Sequence, residues 1–66
     1  MRYRYVVDHD GPYSPTWYET TGLPPTLREI ITTRMGKMVV LEIIESAGRD
    51  GELGRLRAEL WAMRKN

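Results

Sequence analysis

Sixty-six residues without a single cysteine leave a chain few ways to hold itself together. A chain of this length buries only about 60% of the surface it exposes when unfolded, so its core is marginal. Small folds usually add disulfides, a metal or a partner chain. Without cysteine, disulfides and thiolate metal sites are both excluded. What remains is a tightly packed minimal core or a second copy of the chain. The same absence fits a reducing compartment. At 41% hydrophobic and 29% charged residues, the sequence has the balance of a globular domain and is too apolar for a disordered one. One small domain over residues 1–66 is expected.

The longest uninterrupted apolar run is residues 38–41, far short of the roughly 20 residues a membrane-spanning helix needs. No apolar signal segment follows Met1-Arg2-Tyr3-Arg4. The expectation is a cytoplasmic protein without membrane association.

Glycine and proline divide the sequence into segments. Residues 2–8 alternate, with Tyr3, Tyr5 and Val7 on one side and Arg2, Arg4 and Asp8 on the other, Val6 being the exception. Period two with aromatic and β-branched residues predicts a half-buried strand. Residues 16–21, Thr-Trp-Tyr-Glu-Thr-Thr, predict a second. Between them lies Asp-His-Asp-Gly-Pro-Tyr-Ser-Pro. This stretch is dense in turn formers, and Pro12 and Pro15 cannot donate to a ladder. A β-hairpin over residues 2–21 follows.

Beyond Gly22-Leu23-Pro24-Pro25 the periodicity changes. Thr26-Leu27-Arg28-Glu29 matches a capping box, in which hydroxyl and carboxylate satisfy each other's backbone N–H groups. Leu27, Ile30, Ile31 and Met35 then form a helical stripe ending at Gly36, a natural stop. In residues 37–47, Val39, Val40, Ile43, Ile44 and Ala47 share a helical face, with Glu42, Glu45 and Ser46 opposite. Plain strand alternation would put one glutamate on each face, which favours helix. The β-branched content leaves a third strand as the alternative. Gly48, Gly51 and Gly54 form a loose connection. Asp50 then suits an N-cap, Leu53, Leu56, Leu60 and Met63 make an amphipathic seam, and Arg64 and Lys65 suit the end of a helix dipole. The expected fold class is α+β: an N-terminal hairpin, 2–21, followed by three short helices within residues 26–65.

Chemistry-bearing clusters are sparse. Asp8-His9-Asp10 precedes Gly11, and His9 is the only histidine. A catalytic zinc site usually wants three protein ligands, and no second His or any Cys exists to complete one. A calcium loop needs further alternating oxygen ligands, but Pro12, Tyr13, Ser14 and Pro15 follow instead. The cluster reads as an Asp-Gly turn with positive φ at the glycine. Ser14 and Ser46 lie in no nucleophile-elbow sequence. Gly48-x-x-Gly51-x-x-Gly54 lacks the Gly-Lys-Ser/Thr ending of a phosphate loop. No catalytic residue, metal or cofactor is expected, and the chain is read as not an enzyme.

The aromatic residues are more informative. Tyr3, Tyr5, Tyr13, Trp17 and Tyr18 all lie in the hairpin, interleaved with Arg2 and Arg4. Tyr, Trp and Arg dominate protein interfaces, and aromatics also stack on bases. Trp61 widens the seam of the last helix. Arg2, Arg4, Tyr13, Tyr18 and Trp61 are therefore the candidate partner-binding residues. The function expected is a small non-catalytic protein-binding module, a regulator or a phage-type inhibitor acting on a partner protein. The alternative is a DNA- or RNA-binding regulator using Arg2, Arg4, Arg55, Arg57, Arg64 and Lys65. Net charge weighs against it: −1 over residues 1–24, zero over 25–48 and +2 over 49–66, short of a strong basic footprint. A homodimer through the last helix is expected to enlarge the marginal core.

The order strand, helix, helix resembles the ribbon-helix-helix DNA-binding proteins, which place paired strands in the major groove. Residues 16–21, 27–35 and 37–47 carry that order. A preceding strand, a following helix and the lack of basic residues in 16–21 depart from the pattern, so the chain is not assigned to that family.

Overall fold

Alternation at the start of the chain translates directly into structure. In the computed structural model, which describes residues 2–48 and 52–64, β1 (Tyr3–Asp8) buries Tyr5 and Val7 and turns Arg4, Val6 and Asp8 outward. It pairs antiparallel with β2 (Thr16–Thr20), setting Tyr5 against Tyr18 and Val7 against Thr16. These are the two hairpin strands.

The rest of the chain corrects the α+β expectation. In place of three helices come β3 (Ile30–Thr33), β4 (Gly36–Glu45) and β5 (Leu53–Leu60). The only helix among the described residues is α1 (Trp61–Arg64), a single turn. The five strands form one sheet in the order β2-β1-β5-β4-β3, with β1 and β5 parallel and the other neighbours antiparallel. The sheet curls until β3 comes against β2 without a ladder between them. The result is a nearly closed, all-β barrel around Tyr5, Val7, Ile31, Met38, Val40, Leu56 and Ala58. The strand–helix–helix order of the ribbon-helix-helix proteins is absent. No described helix is long and apolar enough to cross a membrane.

Each misread helix has a physical reason. At residues 26–29 the reciprocal bonding is real but local. Thr26 N–H and Oγ1 both donate to Glu29 Oε1, at 3.1 and 3.2 Å, and Glu29 N–H donates to Thr26 O at 3.2 Å. That closes one turn. The next residues, Ile-Ile-Thr-Thr, are all β-branched, stiff at χ1 and better suited to a strand, and β3 begins there. Gly36 does adopt a left-handed φ of 102°, but it closes the β3–β4 hairpin instead of capping a helix.

In β4 the helix-like spacing comes from two bulges. Val40 faces Ala58 and Glu42 faces Arg57, leaving Leu41 as an extra residue; Ile43 faces Leu56 and Glu45 faces Arg55, leaving Ile44 as another. Each insertion lengthens the repeat by one. The core positions Met38, Val40 and Ile43 are thus spaced by two and then three, and Ala47, beyond the strand end, follows four residues on. Glu42 and Glu45 lie on the same outer face because Ile44 sits between them. The strand alternative for 37–47 is the one the chain adopts.

The last expected helix is β5, a strictly alternating strand. Gly54, Leu56, Ala58 and Leu60 face inward, and Leu53, Arg55, Arg57 and Glu59 face outward. Two of the four inward residues are small, which leaves Leu56 and Leu60 four apart, and the outward Leu53 supplies the spacing of three. Gly54 is small because Tyr5 lies across it. A Cβ there would stand 2.7 Å from Glu45 O and closer still to the Tyr5 ring. The Tyr5 hydroxyl in turn accepts a 3.1 Å bond from the buried Ala47 N–H. Asp50 and Lys65, and the side chains of Met63 and Arg64, lie outside the described residues.

Candidate functional site

The outer surface of the barrel differs from one side to the other. Across β2, β1, β5 and β4 the register builds rows of side chains. Glu19, Arg4 and Leu53 form one row; Trp17, Val6, Arg55 and Glu45 the next; Asp8, Arg57 and Glu42 a third. Opposite charges therefore meet across strands. Arg4 Nε lies 3.1 Å from Glu19 Oε1, without the alignment of a hydrogen bond. Arg55 grips Asp8 with two bonds, Nε to Oδ2 at 2.6 Å and Nη2 to Oδ1 at 2.8 Å. That bidentate bond holds the Asp8 carboxyl below its ordinary value, outweighing the opposing push of burial, and raises Arg55.

Beyond Asp8 a cavity of about 160 Å³ is lined by Asp8, His9, Asp10, Leu41, Arg57 and Glu59, with Ala58 behind. The β1–β2 loop at its edge is tied by His9 N–H donating to Ser14 Oγ at 3.1 Å. His9 Nδ1 lies 3.1 Å from the Asp10 carbonyl. A carbonyl only accepts, so Nδ1 carries the proton. Nε2 is buried without a hydrogen-bond partner. Gly11 takes a φ of 98°, as an Asp-Gly turn requires. Among the described residues no three His, Asp or Glu side chains come together as metal ligands.

The side where β2 meets β3 is built differently. Tyr13, Trp17, Leu23, Leu27 and Ile30 are exposed by 81, 48, 87, 61 and 46%. They lie on β2, on β3 and on the segments that lead into and join them. Only three of the chain's nineteen charged residues, Glu19, Arg28 and Glu29, fall in residues 13–30. Two of these are engaged, Glu19 with Arg4 and Glu29 with Thr26. Charge depletion with exposed aromatic and aliphatic side chains is the make-up of an interface core. Two positions hold strained backbone for their residue types: Tyr13 at φ 70° and Arg28 at φ 67°. Arg28 N–H bonds Val40 O at 2.8 Å, and Val40 N–H bonds Glu29 O at 3.0 Å, so Arg28 and Glu29 together oppose Val40.

The five residues singled out from the sequence do not converge. Tyr13 stands at the tip of the β1–β2 loop, and Tyr18 turns inward against the core. Arg4 lies on the opposite face of the hairpin from Tyr18 and is held by Glu19. Arg2 is at the far end of β1, beside Glu19, Thr20 and Thr21. Trp61 sits in α1, 37% exposed, packed toward β4 and β5. The apolar seam meant to join two copies through a last helix is instead core at Leu56 and Leu60. Sequence reasoning missed Leu23, Leu27 and Ile30, which it gave to a loop and a helix. Their signal was the low charge of residues 13–30, diluted when charge was summed over thirds of the chain. Comparison with protein-family models, curated proteins and solved structures finds no match to this chain.

Proposed function

We propose that the chain is a non-catalytic protein-binding module whose contact surface is the β2–β3 side of the barrel. One observation carries this reading. Among the described residues, five of the eight exposed large apolar side chains lie on β2, on β3 and on the segments that lead into and join them, where neighbouring strands are not hydrogen-bonded and charge is scarce. Exposed apolar surface concentrated in this way marks an interaction site; Ile44, Leu53 and Trp61 are exposed singly elsewhere. A nucleic-acid partner is less well served. Phosphate binding needs unneutralised cations, and Arg4 and Arg55 are already engaged with Glu19 and Asp8.

The test is affinity capture from the native host, using wild type and a Leu23→Asp/Leu27→Asp variant, with Arg57→Glu as the control on the other side. Proteins held by wild type and by Arg57→Glu should be absent from the double variant. Capture that ignores Leu23 and Leu27, or capture of nucleic acid lost in Arg57→Glu, would overturn the reading.

A further inference from the structure

We infer that, without another partner, the β2–β3 side is covered by a second copy of this chain, forming a two-fold dimer. This rests on the reading of that side as the contact surface and names its occupant. Three observations point to self-pairing. The first is area. Tyr13 and Trp17, at 81 and 48% exposure, offer on the order of 250 Å² of aromatic surface. With Leu23, Leu27 and Ile30 the side approaches the roughly 800 Å² per partner of a standard interface. The second is charge. Glu19 is paired with Arg4, and the adjacent Arg28 and Glu29 carry opposite charges, so the surface neither selects a strongly charged partner nor repels its own copy. A two-fold interface sets a patch against itself, so near-neutrality is the condition it must meet. The third is the core. Nine hydrophobic residues are buried among the described residues, with no disulfide. A fold of this size gains most from enlarging that core. The surface differs from the last-helix seam expected from the sequence, because Leu56 and Leu60 are spent inside the barrel.

Light scattering and sedimentation from low to high micromolar concentration test the dimer. Wild type should move from 7.7 kDa to twice that mass within the range. In a Trp61→Phe background, Trp17 emission should shift to the blue over the same concentrations. Leu27→Asp and Ile30→Lys should remain folded by circular dichroism and stay monomeric throughout. If either fails to fold, Leu23→Asp, at the most exposed of these positions, replaces it. A wild type of single-chain mass at every concentration overturns the inference, as does a dimer that survives these substitutions. A monomeric wild type that still captures a host protein, lost in Leu23→Asp/Leu27→Asp, removes the dimer alone and leaves the protein-binding reading standing.

Discussion

The β1–β5–β4 side and the β2–β3 side of this barrel are made of different materials. On the first, every neighbouring pair of strands is hydrogen-bonded, and the outer rows alternate cation and anion, Arg4, Asp8, Arg55, Arg57, Glu42 and Glu45, with Ile44 and Leu53 exposed among them. Beneath them the Tyr5 ring lies across Gly54, leaving no room for a Cβ. On the second, the ladder is missing, charges are few and large apolar groups face outward. Stability is therefore concentrated on one side, and the surface free to contact something else on the other. Substitutions in the packing beneath the laddered side should cost the fold, whereas those on the open side should leave it unchanged or improve it.

The largest effect is expected at Gly54. Its Cβ would collide with both a ring and a backbone carbonyl, so neither neighbour can yield cheaply. Gly54→Ala should cost about 3 kcal/mol, the upper end for overpacking, measured by urea unfolding. A loss near zero would mean that Tyr5 is not seated on β5. Tyr5→Phe comes next. It keeps the ring and removes the acceptor of the buried Ala47 N–H; an unsatisfied donor of this kind costs about 2 kcal/mol. If Tyr5→Phe unfolds at the wild-type midpoint, Ala47 finds another partner.

The open side should answer in the opposite direction. Arg28→Gly relieves a left-handed φ that a side chain resists. The added freedom of the unfolded chain offsets part of the gain. A net stabilisation of about 0.5 kcal/mol should raise the melting temperature; a drop would show that the Arg28 side chain supports the fold.

The smallest effect is at Asp8, where the ion pair is partly solvated and worth little. Because the Asp8 carboxyl titrates lower when folded, its contribution is present above the unfolded value near 3.9 and is lost as pH falls through the folded value. Acid unfolding from about pH 5 to pH 2 should therefore be steeper in wild type than in Asp8→Asn. Identical acid profiles would mean that the Arg55 bond adds nothing.

How far the sequence could be read depended on how regular each segment was. In β1 the large and polar residues alternate except at the outward Val6, and Tyr5 and Val7 fall inside as the pattern requires. In β5 the alternation is equally strict, but Gly54 and Ala58 at inward positions do not register as apolar, so the strand looked like a helix. At Thr26–Glu29 the hydrogen bonds were legible and the element they opened was not, because one turn is the same whether a helix or a strand follows. The open side was hardest to see. Its defining property is a ladder missing between β2 and β3, strands separated by residues 21–29, and no local pattern records what two distant strands fail to do.

The two bulges of β4 also bear on how this chain can change length. Removing one residue from a regular strand inverts every side chain beyond the cut. At Leu41 or Ile44 the extra residue already stands outside the pairing, so its deletion leaves Val40 opposite Ala58, Glu42 opposite Arg57, Ile43 opposite Leu56 and Glu45 opposite Arg55. A single-residue deletion there should fold with its inner and outer faces intact, while the same deletion at Val39 should not. β4 can thus absorb the loss of a codon at two points without turning the barrel inside out.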